Sequence, residues 1–158
     1  MLACDSPVYI TGSRGCVKKC TFCNVDKIWP EYRFKSGKQI ANEIIAIRQK
    51  YNRKYFKFTD SLINGSMKAF RELLHELKEY RKTDPEFSWS SQWIVRSKAQ
   101  SPEADYQLMA ESGCVELDVG IESFKQMQII KIHWILYTNS MTLVMLIQKM
   151  TTIQNCYT

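Results

Sequence analysis

The chain has 158 residues, a formal net charge of +6, and 45% hydrophobic against 24% charged side chains. That size holds one ordinary domain and excludes two substantial ones. Six cysteines without an N-terminal signal-peptide pattern point to a reducing, cytoplasmic setting, where thiols serve metals rather than disulfides.

Taken in order, residues Met1 to Pro7 carry no periodic signal and read as a linker remnant, 1–7. Val8-Tyr9-Ile10-Thr11 has the β-branched and aromatic character of a short buried strand. Gly12-Ser13-Arg14-Gly15 then breaks it with turn formers. The next stretch therefore leaves the carboxyl end of a strand, where ligand sites collect in parallel α/β proteins. It holds Cys16, Cys20 and Cys23 at C-x3-C-x2-C spacing. Three thiolates on so short a loop can wrap one face of a cubane iron–sulfur cluster and leave its fourth iron open. The alternative is zinc, which in structural sites takes four ligands. Cys4, Cys114, Cys156, His75 and His133 offer no partner spacing for a fourth. Asn24 to Lys35 is aromatic but aperiodic and reads as a loop covering the cluster.

Ser36 is a plausible N-cap for a helix to about Tyr51, with Ile40, Ile44, Ile47 and Tyr51 on its apolar face. Tyr55 to Thr59 reads as the second strand, with Asp60-Ser61 at its end. Ser66 can cap a second helix that buries Met67, Phe70, Leu73, Leu74, Leu77 and Tyr80 and leaves His75 outside. Phe87 to Val95 forms the third strand, and Arg96 closes it. Ser101 as N-cap with Pro102 at the first helical position opens a third helix, ended by Gly113. Cys114 to Val119 is the fourth strand, its Glu116 and Asp118 facing away from Val115, Leu117 and Val119. This alternation argues for an α/β fold on a parallel sheet, with right-handed crossovers.

From Lys125 the composition changes: residues 125–158 contain three lysines but no Asp, Glu, Gly, Pro, Ala or Arg. They supply +3 of the total +6, so the remainder is only mildly basic. Its Lys18, Lys19, Arg48, Lys50, Arg53 and Lys54 form no stripe interleaved with aromatics, which argues against nucleic acid. The 125–158 segment reads as an atypical tail, frameshifted or disordered, or else as structure that closes the sheet. Lys131, His133 and Thr138-Asn139-Ser140 interrupt it, so it makes no membrane span.

The cysteine run with Phe22 before its last cysteine resembles the C-x3-C-x-aromatic-C signature of the radical S-adenosylmethionine (radical SAM) superfamily. Gly120-Ile121-Glu122-Ser123 looks like that family's Gly-Ile-Glu-Ser turn, and the Trp-rich third strand resembles its cobalamin-associated subgroup. The resemblance covers 8–124 and implies a partial parallel (β/α) barrel, about four βα units of a (β/α)6 barrel. It implies a 4Fe–4S cluster on Cys16, Cys20 and Cys23, with SAM on the open iron cleaved reductively to a 5′-deoxyadenosyl radical that acts on an unidentified substrate. For SAM it implies contacts from Phe22, Asp60, Ser61, Gln92, Arg96, Gly120 and Glu122. Asp60 stands where the family usually has a Gly-Gly-Glu motif, and would accept from the methionine ammonium. Arg96 would fork onto its carboxylate. An electron donor such as flavodoxin or ferredoxin is implied as a partner. Cobalamin is implied as a further cofactor, although its usual upstream domain is absent from this sequence. The competing class is a non-catalytic iron–sulfur or zinc-binding module.

Overall fold

The computed structural model describes residues 6–97, 99–120 and 142–146. In chain order the first elements are β1 (Val8–Ile10), β2 (Ser13–Arg14), α1 (Val25–Ile28) and β3 (Arg33–Phe34). Then come α2 (Gly37–Tyr51), β4 (Tyr55–Phe58), α3 (Met67–Arg81) and β5 (Ser88–Trp93). The last are α4 (Glu103–Glu111), β6 (Cys114–Gly120) and β7 (Thr142–Leu146). The main sheet runs β1-β4-β5-β6-β7 with every neighbouring pair parallel. The α/β reading and the four βα strands are thus present, and a fifth strand adds to them. β7 pairs with β6 from Glu116↔Thr142 to Gly120↔Leu146. It falls within the 125–158 segment, whose other residues lie outside those described.

Local signals explain the helices. Ser36 accepts from Gln39 N at 3.2 Å to cap α2, and Ser66 accepts from Ala69 N at 3.4 Å to cap α3. Asn52 ends α2 in the left-handed region at φ 51°, which Asn tolerates better than most residues. α4 starts one residue later than expected. Pro102 is its N-cap in extended geometry, and Ser101 is buried with its hydroxyl 3.2 Å from Asp105 Oδ2.

The core lies between one face of the sheet and the three longer helices. Ile40 and Ile44 of α2, Phe70, Leu73, Leu74 and Leu77 of α3, and Met109 of α4 pack there with Phe56, Phe58, Trp89, Leu117 and Val119. Tyr51, expected on the apolar face of α2, is exposed. Arg48 is buried instead, its Nε 2.7 Å from Asp84 Oδ2. Where α2 begins, the helices touch backbone to backbone. A Cβ on Gly37 would sit 2.2 Å from Leu73 N and 2.3 Å from Ala69 O.

The other face of the sheet is polar. β6 takes one extra residue, since Trp89 pairs with Cys114 while Ser90 pairs with Glu116. This bulge turns Glu116 and Asp118 to the polar face and leaves Cys114 in the core. Lys57 of β4 crosses the small Ser90 to meet both acids, at 3.2 Å from Glu116 Oε1 and 3.3 Å from Asp118 Oδ2. Burial pulls the Lys57 pKa down, but the two carboxylates outweigh it and leave it raised.

Candidate functional site

Parallel strands bring their carboxyl ends to one edge of the sheet, and the cysteine loop leaves that edge from β1. β2 and β3 pair antiparallel, Ser13↔Phe34 and Arg14↔Arg33, so the chain departs and returns at one point. Lys35 N donates to Gly12 O at 2.9 Å and lengthens this neck. Gly15 has φ +84°, and a Cβ there would lie 2.7 Å from Glu31 O. Only glycine suits both conditions. Residues 24–35, expected as irregular cover, contain a single helical turn and the returning strand. The Arg14 guanidinium lies 5.2 Å from the Trp29 ring centroid.

Within the loop Cys16, Cys20 and Cys23 are half-buried cysteines that form no disulfide. Cys23 N donates to Cys20 O at 3.0 Å, and Lys18 N donates to Cys16 Sγ at 3.3 Å. Burial pushes the Cys16 thiol up, against the pull of that Lys18 amide, and the neighbouring Cys23 raises it further. A metal would therefore have to displace a proton there. Among the described residues no three His, Cys, Asp or Glu side chains converge on one ion position. A single zinc would hold its sulfurs within about 3.8 Å of one another, given Zn–S bonds of about 2.3 Å. A cubane takes each thiolate on a separate iron, so it asks for three thiols on one loop with amide hydrogen bonds to sulfur. The donor set and the Lys18 N–H fit that group. Phe22 is 44% exposed, which leaves its ring free to cover a ligand.

The other expected residues among those described stand at the same edge, with two differences in what they contact. Asp60, expected to accept from SAM, is only 3% exposed and its carboxylate turns inward. Gly12 N donates to Oδ2 at 3.0 Å and the Ser13 hydroxyl to Oδ1. Burial raises the Asp60 pKa, with the Ser13 hydroxyl and the Gly12 and Ser13 amides working against it. A carboxylate has about four acceptor sites, so these two hydrogen bonds occupy about half of them. Arg96, expected to grip the SAM carboxylate, donates from Nη2 to Asn64 O at 2.6 Å and Gly65 O at 3.1 Å. Desolvation lowers its pKa. Ser61 and Gln92 have exposed side chains, and Gly120 ends β6 exposed. Glu122 lies outside the described residues.

Three contributors do not stand out in the sequence. Asn64 is fully buried, donating to Ile94 O at 2.9 Å and accepting from Ile94 N at 3.0 Å. Ser13 reads there only as a turn former. Tyr32 sits against Gly65, where a Cβ would meet its hydroxyl oxygen at 2.3 Å. Burial raises the Tyr32 pKa, and the Ser13 side chain and Ser66 N–H act on its hydroxyl in the opposite sense. In sequence it is one aromatic among several in an aperiodic run.

The family model of the radical SAM superfamily matches residues 10–145. The chain belongs to the radical SAM superfamily. The match passes residue 124, where the sequence resemblance stopped, and reaches β7. A cytidylyl-2-hydroxyethylphosphonate methyltransferase from Streptomyces wedmorensis is 30% identical over 112 residues, covering 70% of this chain and 20% of that enzyme. An anaerobic magnesium-protoporphyrin IX monomethyl ester cyclase from Cereibacter sphaeroides is 23% identical over 120 residues, covering 74% of this chain and 19% of its own. The radical SAM methyltransferase TsrM from Kitasatospora setae, with tryptophan substrate and a SAM analogue bound, shares the fold. Its TM-score is 0.68 at 16% identity, over 89% of this chain and 30% of that one. A second TsrM structure has cobalamin and a 4Fe–4S cluster bound and gives the same TM-score of 0.68. The chain thus spans about a fifth of the length of these curated relatives. Radical SAM enzymes use a 4Fe–4S cluster and SAM, and the relatives include a methyltransferase and a cyclase. Among the described residues no helix is long and apolar enough to cross a membrane.

Proposed function

We propose that this chain is the cluster- and SAM-binding core of a radical SAM enzyme, with Cys16, Cys20 and Cys23 as the three ligands of a 4Fe–4S cluster. The observation that carries this reading is the set of three cysteines outside any disulfide on one loop, closed at the carboxyl edge of a parallel sheet, inside the family match. When bound, the cluster supplies one-electron reduction of SAM to a 5′-deoxyadenosyl radical. The chain's own share is positioning and exclusion. Phe22 covers the ligand beside the loop, Gly120 leaves backbone room at the end of β6, and the exposed Ser61 and Gln92 side chains offer polar contacts. Asp60 and Arg96 act one step back, by holding the loops that carry the site.

The electron donor in this reading is an acidic redox protein of the flavodoxin or ferredoxin kind. Residues 14–35 hold six Lys or Arg against two acids, and Val17, Ile28, Trp29 and Phe34 among them are exposed. A cationic, apolar surface of that kind suits such a partner. Methyl transfer and ring formation both lie within the named relatives' chemistry, and a cobalamin-dependent methyl transfer fits the TsrM fold.

Anaerobic reconstitution followed by electron paramagnetic resonance tests the proposal. The reduced cluster signal is expected to change when SAM is added, because an open iron is required for SAM to bind there. A cluster whose signal ignores SAM would mark a carrier module instead, and a preparation that takes up zinc but no iron and sulfide would remove the cluster altogether.

A further inference from the structure

The two ends of the cysteine loop meet over one buried carboxylate. Ser13, three positions before Cys16, donates its hydroxyl to Asp60, and Gly12 N donates to the other oxygen of that carboxylate at 3.0 Å. Tyr32, nine positions after Cys23, comes back to the same place. Its hydroxyl is acted on by the Ser13 side chain and the Ser66 N–H, and it feels both Asp60 and Arg96. The ring is seated by Gly65, whose missing side chain leaves the space that the phenol occupies. A further side chain on Gly12 would run into Ile40 Cδ1 at 2.9 Å and Asp60 Oδ1 at 3.3 Å. The small cavity of about 10 Å³ at this point is bordered by Gly12, Ser13, Tyr32, Asp60 and Ser66. That is room for about one water, so the junction is filled almost entirely by its own side chains.

We infer that Asp60, Ser13 and Tyr32 form a clasp that closes the neck of the cysteine loop and sets the three thiols in place before any cluster arrives. The inference rests on the proposed role of the loop and assigns these three side chains as positioning residues. Three features set the neck: a two-residue ladder, a buried acceptor from the end of β4 and a phenol lodged against Gly65. Without the clasp the ladder alone must close a loop of about 18 residues, and the entropy of that closure works against it. A loop held in its binding geometry loses less freedom when it takes a ligand, and gives the ligand up more slowly. The network also ties the loop to β4 and to the β4–α3 turn that Arg96 holds, so the thiols keep a fixed relation to the strand ends.

The test compares the full chain with Ser13→Ala, Tyr32→Phe and a control, Tyr80→Phe. The control loses a phenol-to-carboxylate hydrogen bond of 3.1 Å to Asp84, away from the loop. Two readouts are used: amide hydrogen exchange over 15–32 in the metal-free protein, and the rate at which an iron chelator strips the reconstituted cluster. Loss of one such buried hydrogen bond corresponds to about five- to tenfold. Ser13→Ala, which removes the buried hydrogen bond to Asp60, is expected to speed both readouts by about that factor, and Tyr32→Phe to speed both by less, with Ser13→Thr restoring the parent behaviour. Tyr80→Phe is expected to lower the thermal midpoint comparably and leave both readouts unchanged. Clasp variants that exchange and release iron no faster than Tyr80→Phe would overturn the inference, even where the parent cluster responds to SAM. If the parent takes up no cluster, exchange in the metal-free protein still reads the clasp by itself. Should either the alanine or the phenylalanine variant fail to fold by circular dichroism, Asp60→Asn keeps the shape and one acceptor oxygen, and its expected effect is in the same direction and smaller.

Discussion

The helix-covered face of the sheet and the cysteine loop are stabilised in different ways. The covered face is a packed apolar layer in which Phe56, Trp89, Ile44 and Leu74 are fully buried. The loop segment has almost no such burial: Val17, Phe22, Ile28, Trp29 and Phe34 are five of the seven exposed large hydrophobic residues among those described. It depends on a short ladder, a glycine at positive φ and one buried carboxylate. The frame can be stable without the site, and the site has no stability apart from the frame. Changes in the loop should therefore alter ligand binding while the fold persists, and changes in the core should lose both together.

Cys16→Ala, Cys20→Ala and Cys23→Ala give the largest expected effect on function. Each should abolish iron and sulfide uptake after anaerobic reconstitution, with the circular dichroism of the fold retained. Cys114→Ala should keep a full complement, because that thiol lies in the core and burial pushes its pKa far up. A full cluster in any of the first three would break the comparison at its centre.

Trp89→Ala removes a fully buried ring whose Nε1 donates to Ser112 O at 3.1 Å. The expected cost is about 3–5 kcal/mol in urea unfolding, enough to lose the loop along with the core. A loop that still bound iron in a chain unfolded by this change would show that the two regions are independent.

Asp84→Ala tests the buried ion pair that joins α2 to the end of α3. Its expected cost is about 2–3 kcal/mol, below the usual 3–5 for a broken buried pair, since Arg48 keeps Asn52 as a partner. The hydrogen bond from Arg48 holds the Asp84 carboxyl below its usual range, against burial. A depressed carboxyl contributes stability that is complete above its unfolded pKa of about 3.9 and is lost as pH falls through the folded value. Urea midpoints of the parent should therefore fall below about pH 4 more steeply than those of Asp84→Ala. Equal acid sensitivity in the two would remove the pair from the account.

Lys57→Met probes the polar face, where Glu116 and Asp118 would be left together without their cation. The side chains are 28% and 15% exposed, so partial solvation limits the expected cost to about 1–2 kcal/mol. The double change with Glu116→Gln should recover part of it. The smallest effect sharpens the sheet's far edge. Amide exchange over 142–146 should be slowed to a degree comparable with 114–119, as the parallel ladder between β6 and β7 requires.

The parts legible in the sequence are those with a local physical cause. Ser36 and Ser66 announce their helices because a capping side chain acts within three residues, and the strands at Tyr55 and Ser88 stand out by β-branched and aromatic content between turn formers. The three cysteines stand out because their C-x3-C-x2-C spacing is itself a local property. Arg48 is not, since its burial depends on Asp84, which lies 36 positions away. Asp60 is visible as a strand-end acid and reads as an outward-facing acceptor, while the Gly12 and Ser13 donors that turn it inward belong to another part of the chain. β7 escapes because a stretch with no stop signals shows its pairing only when β6 is beside it.

Gly37 has no reactive group, yet its lack of a side chain lets α2 and α3 meet backbone to backbone just after the neck of the loop. Two residues, Lys35 and Ser36, link it to β3, the returning half of the loop's neck. A methyl group at 37 would wedge the first turn of α2 away from α3, and that displacement would be delivered to the neck through a lever two residues long. The spacing between two helices in this way bears on where the cysteine loop is anchored, and a substitution at a buried glycine would move that anchor without any change in the cysteines.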